Sequence, residues 1–219
     1  FDFINPRMSK HLWLYEGSTE YYSHHCQVKF GIVTEGRFLE KMAQKIMISS
    51  AYFNDTLPFT EMSKGALDNY KQQYINVYLK GALISMCLDL ELLRLSGGKY
   101  GLQSLKQELV KKYGPDKPFE DEELFDVITG MTYPEIREFF RDYVEGNKKL
   151  PYHQFLGYAG FDFVESREKE VPAMIGASLT NDTSGRFMVT EVRKFGKALK
   201  LKEGDIIESV NGMDIFVNN

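Results

Sequence analysis

The feature of the sequence that most constrains the fold is a long helical pattern from Ile75 to Ser96, the strongest in the chain. Apolar residues recur there at helical spacing and predict one buried stripe, and the pair Gly97-Gly98 ends the helix. The stripe consists of Ile75, Leu79, Leu83, Met86, Leu90 and Leu93. The adjacent face is small or polar apart from one tyrosine, and it consists of Tyr78, Gly81, Ala82, Ser85 and Asp89. Such a face either packs tightly on another helix or lines a cleft, and the pattern leaves both open.

Shorter helical patterns on either side predict that residues 1–158 are all-helical. Their expected bounds are 8–30, 34–53, 103–113, 120–129 and 134–144, with one further helical turn at 152–157. Thr34 is a suitable N-cap, and Pro134 suits the first position of a helix. Residues 54–73 hold turn-forming residues, including Pro58 and Gly65, and are predicted to be mostly loop.

The character of the sequence changes near Gly160. Short β-type runs follow one another at regular spacing, at 161–164, 174–179, 187–192 and 205–210, with a turn at Gly185. We therefore predict a multidomain chain with an all-α part, 1–158, followed by a β-rich part, 159–219.

Composition narrows the class of protein. The chain has 219 residues, of which 43% are hydrophobic, so it is long enough to bury a substantial core. A net charge of -4 and the lack of any basic run argue against a nucleic-acid surface. No apolar run reaches transmembrane length. The cysteines, Cys26 and Cys87, lie far apart in helical patterns and are interpreted as small hydrophobic residues.

The stretch Leu12–Tyr22 is the best candidate for chemistry. Glu16 lies among apolar and aromatic residues that include Trp13, the only tryptophan. A carboxylate in such surroundings is normally paired or binds a metal. Gly17 follows directly, and glycine inside a helix costs about 1 kcal/mol relative to alanine, which indicates that something large approaches the backbone there. The alternative is a buried Glu16 that is bonded to the backbone or to a tyrosine.

The segment Trp13–Tyr22 resembles the second zinc motif of the gluzincin metallopeptidases, W-x-x-E-G-x-x-x-Y, and most of all that of the glycyl aminopeptidases with a C-terminal PDZ domain. The resemblance implies that Glu16 is the third zinc ligand, beside two histidines of an H-E-x-x-H helix. It also implies that residues 1–158 are the C-terminal half of a thermolysin-like catalytic domain. The sequence of Phe139–Tyr152 is similar to the segment just before the PDZ domain in the same family.

The segment Tyr78–Ala82 resembles the Y-x-K-G-A motif that follows the zinc glutamate in these enzymes. The resemblance implies that the Tyr78 hydroxyl stabilises the tetrahedral oxyanion, and a phenol suits this because it donates a hydrogen bond to developing charge. We therefore expect the side chains of Glu16 and Tyr78 to end within about 10 Å of one another. The alternative is a tyrosine in a helix–helix seam, facing away from Glu16.

The segment Gly204–Gly212 is similar to the PDZ signature G-D-x-I-x-x-x-N-G. Residues Met174, Ile175, Gly176 and Ala177 would then form the peptide-binding loop and the start of the receiving strand. PDZ domains bind an extended peptide, commonly a C-terminal one, along a sheet edge. The sequence stops before the helix that would form the other wall of the groove, so we expect a partial PDZ domain.

The resemblance implies a zinc-dependent aminopeptidase that acts on peptide or protein substrates, in an exported or periplasmic location, with a cytoplasmic one left open. The sequence contains no H-E-x-x-H. We therefore interpret the chain as a fragment of a longer enzyme, and expect the fragment alone to be inactive and to hold no zinc. The competing hypothesis is a helical scaffold with a PDZ module that never held a metal.

The pair His24-His25 is the other histidine feature of interest. Glu20 lies four residues before His24, so the two form one helix face together with Glu16. We interpret Glu20 and His24 as a helix-surface pair rather than as a metal site.

Overall fold

A computed structural model of the chain describes residues 4, 7–114, 116–165, 176–193, 196–197, 199–210 and 212–215. The chain consists of two compact units, Phe1–Glu165 and Ser166–Asn219. Helices form the first unit: a π-helical turn at Trp13–Gly17, α1 Ser18–Lys29, α2 Glu35–Tyr52, α3 Phe59–Lys64, a 3-10 turn at Lys71–Gln73, α4 Tyr74–Leu95, α5 Leu102–Lys112, α6 Leu124–Met131, α7 Glu135–Tyr143 and α8 Tyr152–Tyr158. None of the described helices is both long and apolar enough to cross a membrane.

Helix α4, the longest of the described helices, is the centre of the first unit. It packs against the π-helical turn and against α1, α2, α3, α5, α7 and α8. Because it has partners on nearly every side, the buried surface is wider than the predicted stripe and includes Val77, Ile84 and Leu88. The expectation for Ile75 is wrong, since this residue lies at the first turn and is exposed.

The small face of α4 packs tightly against the π-helical turn. A Cβ atom on Gly17 would lie 2.6 Å from the Cα and carbonyl oxygen of Gly81, and a Cβ on Gly81 would lie 2.9 Å from the Gly17 Cα. Further along, the Ser85 hydroxyl donates to the Trp13 carbonyl at 3.2 Å. The large group that approaches Gly17 is therefore the backbone of α4.

An aromatic cluster forms the core beside this contact. The ring of Trp13 lies 5.4 Å from that of Phe140, and Phe125 lies 4.3 Å from Phe140. Trp13 and Phe140 are fully buried, and Phe125 nearly so. The tryptophan thus anchors one end of the π-helical turn in the core of the unit.

Three helical boundaries differ from the expectations. The first helix begins near Trp13 rather than Met8, because residues 9–12 bond to side chains from distant segments. Helix α3 occupies part of the predicted loop at 54–73, where Phe59 and Met62 are buried after Pro58. Helix α6 begins at Leu124, since residues 121–123 form a turn. The Thr34 cap of α2 is confirmed, and its hydroxyl accepts from the Arg37 amide.

The second unit contains a small antiparallel sheet. Its strands lie in the order β1-β2-β3, with β1 Ala177–Asn181, β2 Phe187–Val192 and β3 Ile206–Ile207, and a separate pair joins β4 Ser209–Val210 to β5 Met213–Asp214. Gly185, with φ of 75°, lies in the turn between β1 and β2 as predicted. The strand expected at 161–164 is absent; these residues lie in the first unit, where Phe161 and Phe163 pack on the helical core. The domain assignment from sequence, 1–158 and 159–219, stays a prediction.

The contact between Gly17 and Gly81 generates a stability prediction. Gly17→Ala should lower the free energy of unfolding by about 1–3 kcal/mol, because the new methyl group meets backbone atoms that cannot rotate away. Gly130→Ala in α6 is the matched control, since a Cβ there has nothing within 4 Å and should change stability by at most about 1 kcal/mol, towards a gain. Urea unfolding followed by circular dichroism compares the two. Equal effects would contradict the tight contact.

Candidate active site

Glu16 lies in the π-helical turn, between the fully buried Trp13 and Gly17. Glu16 itself is only partly buried. Single π-helical turns are rare and are found frequently at functional sites. The turn holds the backbone on both sides of Glu16 in the core and leaves the carboxylate at its edge. The motif Leu12–Tyr22 located this residue, but nothing in its apolar pattern predicted the π-helical geometry.

Tyr78 meets Glu16 from the first turns of α4. Its hydroxyl oxygen lies 3.3 Å from that of Tyr74. The hydrogen bond with Tyr74, partial burial, and the charge and hydrogen bond of the Glu16 carboxylate together raise the pKa of Tyr78 well above its usual range. The predicted proximity of Glu16 and Tyr78 is confirmed, and a tyrosine that faces away from Glu16 is excluded. Their roles as metal ligand and oxyanion donor stay predictions.

Proton counting sets the direction of these hydrogen bonds. An ionised carboxylate can only accept, and a phenol has one proton to donate. In its hydrogen bond with the Glu16 carboxylate Tyr78 is therefore the donor, and its oxygen is left to accept from Tyr74. Tyr74 was not among the predicted site residues, although its position four residues before Tyr78 on a helix places both on one face.

Lys80 fixes the segment behind Tyr78. Its side chain is buried, and the ammonium donates to the carbonyl oxygens of Asp55 at 2.8 Å and Leu57 at 3.3 Å. Burial lowers the pKa of Lys80, and the nearby Asp55 carboxylate opposes this only in part. The lysine of the Tyr78–Ala82 motif therefore joins α4 to the chain that leads into α3.

Glu20, one helical turn after Glu16, is paired with two basic side chains. The Lys45 ammonium donates to its carboxylate, and His24 Nε2 lies 3.3 Å away. Burial alone would raise the pKa of Glu20, but Lys45 and then His24 lower it overall. The interpretation of Glu20 and His24 as a helix-surface pair is confirmed. His25 stacks on Tyr21, with ring centroids 5.4 Å apart.

The described residues do not form a complete metal site. Nowhere in this part of the chain do three His, Cys, Asp or Glu side chains cluster so that they could hold an ion. A zinc site needs three or four protein ligands. Glu16 is suited to supply one of them, because it is a partly buried carboxylate that forms no ion pair among the described residues.

Two of the four predicted peptide-binding residues, Gly176 and Ala177, are among the described residues. Met174 and Ile175 lie outside the described residues. Gly176 has φ of 68°, and its carbonyl accepts from the Arg193 amide at 2.9 Å. Ala177 begins β1, which is an edge strand of the described sheet. Their role in peptide binding stays a prediction.

The chain is similar to known proteins both in sequence and in fold. Residues 1–84, which include both Glu16 and Tyr78, match the sequence family described as M61 glycyl aminopeptidase. The fold is similar to the crystal structure of an aminopeptidase N family protein from Idiomarina loihiensis, with a TM-score of 0.67 and 24% identity. That match covers 99% of this chain and 40% of the other, so the chain spans less than half of that protein. No curated protein matches the sequence. The family match supports a peptidase-related function.

The incomplete ligand set generates a prediction about metal content. After a chelator wash and dialysis against zinc, the 219-residue chain should hold far less than one zinc per molecule, because one carboxylate cannot complete a tetrahedral site. Elemental analysis measures the content, and Glu16→Ala should hold the same trace amount. One tightly held zinc per chain that persists in Glu16→Ala would instead direct attention to His24 and His25.

Proposed function

We propose that this chain is part of a zinc-dependent aminopeptidase of the glycyl aminopeptidase type. The observation that carries the proposal is the meeting of Glu16 and Tyr78, which 62 residues separate in the sequence. The two motifs that the resemblance assigns to a zinc ligand and an oxyanion donor would serve one reacting carbonyl, so their side chains have to be neighbours. The family match over residues 1–84 supports the same assignment.

The charges around Glu16 and Glu20 also support a metal-binding role for Glu16. Glu20 is neutralised by Lys45. Glu16, by contrast, is hydrogen-bonded by a phenol, and no ion pair to it occurs in the described ranges. A partly buried carboxylate without a cation is costly. A metal ion held jointly with ligands from another part of the protein would supply the missing positive charge.

Tyr78 has the protonation state that an oxyanion donor needs. Because its pKa is raised, the hydroxyl stays protonated at neutral pH and can donate to an oxygen on which negative charge develops. When bound, zinc polarises the peptide carbonyl and activates a water molecule. Glu16 would hold the ion, and the proton of Tyr78 would turn from Glu16 towards the substrate oxygen while Tyr74 continues to donate to the phenol.

The sequence lacks the H-E-x-x-H that would supply the two histidine ligands and the general base. We propose that these groups belong to a part of the protein outside the 219 residues. On this proposal the chain contributes the third ligand and the oxyanion donor, and peptide hydrolysis requires the longer protein.

Substitutions in the longer protein test the assignment. Glu16→Gln should weaken zinc binding together with aminopeptidase activity, because a neutral amide is a poor zinc ligand. Tyr78→Phe should keep the zinc and lower kcat by roughly 10²–10³, the usual cost of one oxyanion donor. Tyr52→Phe, at an exposed position of α2, is the control and should leave both unchanged. If Tyr78→Phe keeps full kcat, the oxyanion role is wrong.

A second function, peptide binding by a PDZ module, is favoured by the arrangement of the second unit. Strand β1 is at the edge of a three-stranded antiparallel sheet in the described residues, directly after Gly176. An edge strand can accept an extended peptide through backbone hydrogen bonds. The alternative to the enzyme is a helical scaffold that uses this edge alone.

Peptide titration tests this module. The 219-residue chain should bind a library of C-terminal peptides weakly and without selectivity, because side-chain specificity needs pockets beside the receiving strand and the chain is expected to hold only part of a PDZ domain. Fluorescence anisotropy measures the affinities, with amidated peptides as the control for recognition of the carboxylate. Micromolar and sequence-selective binding would show that the groove is complete in this chain.

A further inference from the structure

The segment just before the π-helical turn is held by side chains from two distant parts of the first unit. The Asp121 carboxylate accepts from the Ser9 hydroxyl at 2.6 Å and from the Lys10 amide at 2.9 Å. The Ser63 hydroxyl accepts from the Leu12 amide at 3.0 Å and donates to the Ser9 carbonyl at 2.8 Å. These bonds satisfy backbone groups at the beginning of the helical segment, which have no partner within it.

His11 lies at the centre of this arrangement and is almost fully buried. Its Nε2 atom is 2.7 Å from the Asp121 carbonyl oxygen, and its Nδ1 atom is 3.3 Å from Trp13 Nε1. A carbonyl only accepts and an indole N–H only donates. Both contacts are therefore hydrogen bonds in one state alone, the neutral imidazole with its proton on Nε2. The rings of Phe125 and Phe119 enclose the imidazole edge to face, at 4.6 and 5.9 Å.

We propose that His11 is a positioning residue for Glu16. The neutral imidazole joins the turn at Asp121 to the indole of Trp13, and Trp13 is the first residue of the π-helical turn that carries Glu16. The hydrogen bonds that link Asp121 to Trp13 through His11 do not depend on the proposed role of Glu16. The importance of this link for function rests on that role.

Protonation breaks this link. A second proton would sit on Nδ1 and point at the indole N–H of Trp13, so the hydrogen bond between them would be lost. The charged groups that act on His11 are the carboxylates of Asp121 and Glu122, which favour the protonated form, and the ammonium of Lys10, which opposes it. Burial is the largest influence, and it lowers the pKa of His11 below the usual 6.5.

Because the pKa of His11 is lowered in the folded state, the stability of the fold depends on pH. As the pH falls below 6.5, the unfolded chain takes up the proton first, so stability decreases. As the pH falls further, through the lower pKa of the folded state, His11 becomes charged within the fold and releases Trp13. Asp121 stays ionised over this range, because the hydrogen bonds from Ser9 and Lys10 outweigh burial and lower its pKa.

Tryptophan fluorescence of the 219-residue chain tests the proposal, because Trp13 is the only tryptophan. The wild-type emission should change reversibly with a midpoint below pH 6.5. His11→Asn places an amide oxygen where Nδ1 lies, so it keeps the acceptor for Trp13, and its emission should not titrate. His11→Gln keeps a donor for the Asp121 carbonyl but loses the acceptor, so its emission at pH 7 should resemble that of acidified wild type. His153→Asn, at an exposed position of α8, is the control and should titrate like wild type.

Amide hydrogen exchange measured by NMR extends the test to the Glu16 backbone. The Leu14 amide donates to the His11 carbonyl, and the Ser18 amide donates to the Trp13 carbonyl, so the two lie on either side of Glu16. At pH 7 both should exchange about fivefold faster or more in His11→Gln than in His11→Asn, the change expected from one lost hydrogen bond. The Phe155 amide of α8 should be equal in both and so report any global unfolding.

Two results would overturn the proposal. One is a fluorescence transition that persists in His11→Asn. The other is equal exchange of the Leu14 and Ser18 amides in the two variants. Neither measurement involves zinc or peptide hydrolysis, so failure of the link and failure of the proposed enzyme function are distinguishable.

Discussion

The close approach of two backbones, at Gly17 and Gly81, is the contact on which the rest of the first unit depends. It lets the π-helical turn lie directly on α4, with no side chain between them. Trp13 then enters the aromatic core on one side. On the other side, Tyr78 reaches Glu16 from less than one helical turn before Gly81. Larger residues at the two glycines would separate the helices, and with them the two groups of the proposed active site.

The site contains two acids that differ in their partners. Glu20 is held by the cation of Lys45. Glu16 is held by the phenol of Tyr78, which Tyr74 contacts in turn. Tyr78, whose pKa is raised, thus places a neutral hydrogen-bond donor beside the Glu16 carboxylate. This combination suits a metal ligand next to an oxyanion donor, and it explains why the proposed function depends on the pair rather than on either residue alone.

Sequence reasoning found the features that depend on local pattern. The length of α4, the Thr34 cap and strand β2 follow from periodicity and turn chemistry. The proximity of Glu16 and Tyr78 could be predicted only because two motifs were matched to one family. The resemblance therefore supplied a tertiary contact that no local pattern contains.

The errors came from tertiary contacts. Phe161 and Phe163 alternate like a strand, yet they pack on the helical core. Helix α3 was missed because Pro58 was interpreted as part of a loop, although Phe59 after it is fully buried. The hydrogen bonds of His11 could not be predicted from local pattern, since its partner at Asp121 lies 110 residues away.

The most direct test of the account is an NMR measurement of contacts between the side chains of Glu16 and Tyr78 in the isotope-labelled 219-residue chain. The account predicts nuclear Overhauser cross-peaks between the ring protons of Tyr78 and the side-chain protons of Glu16, and their loss in Tyr78→Leu. Cross-peaks from the Tyr78 ring to core residues alone, with none to Glu16, would contradict it.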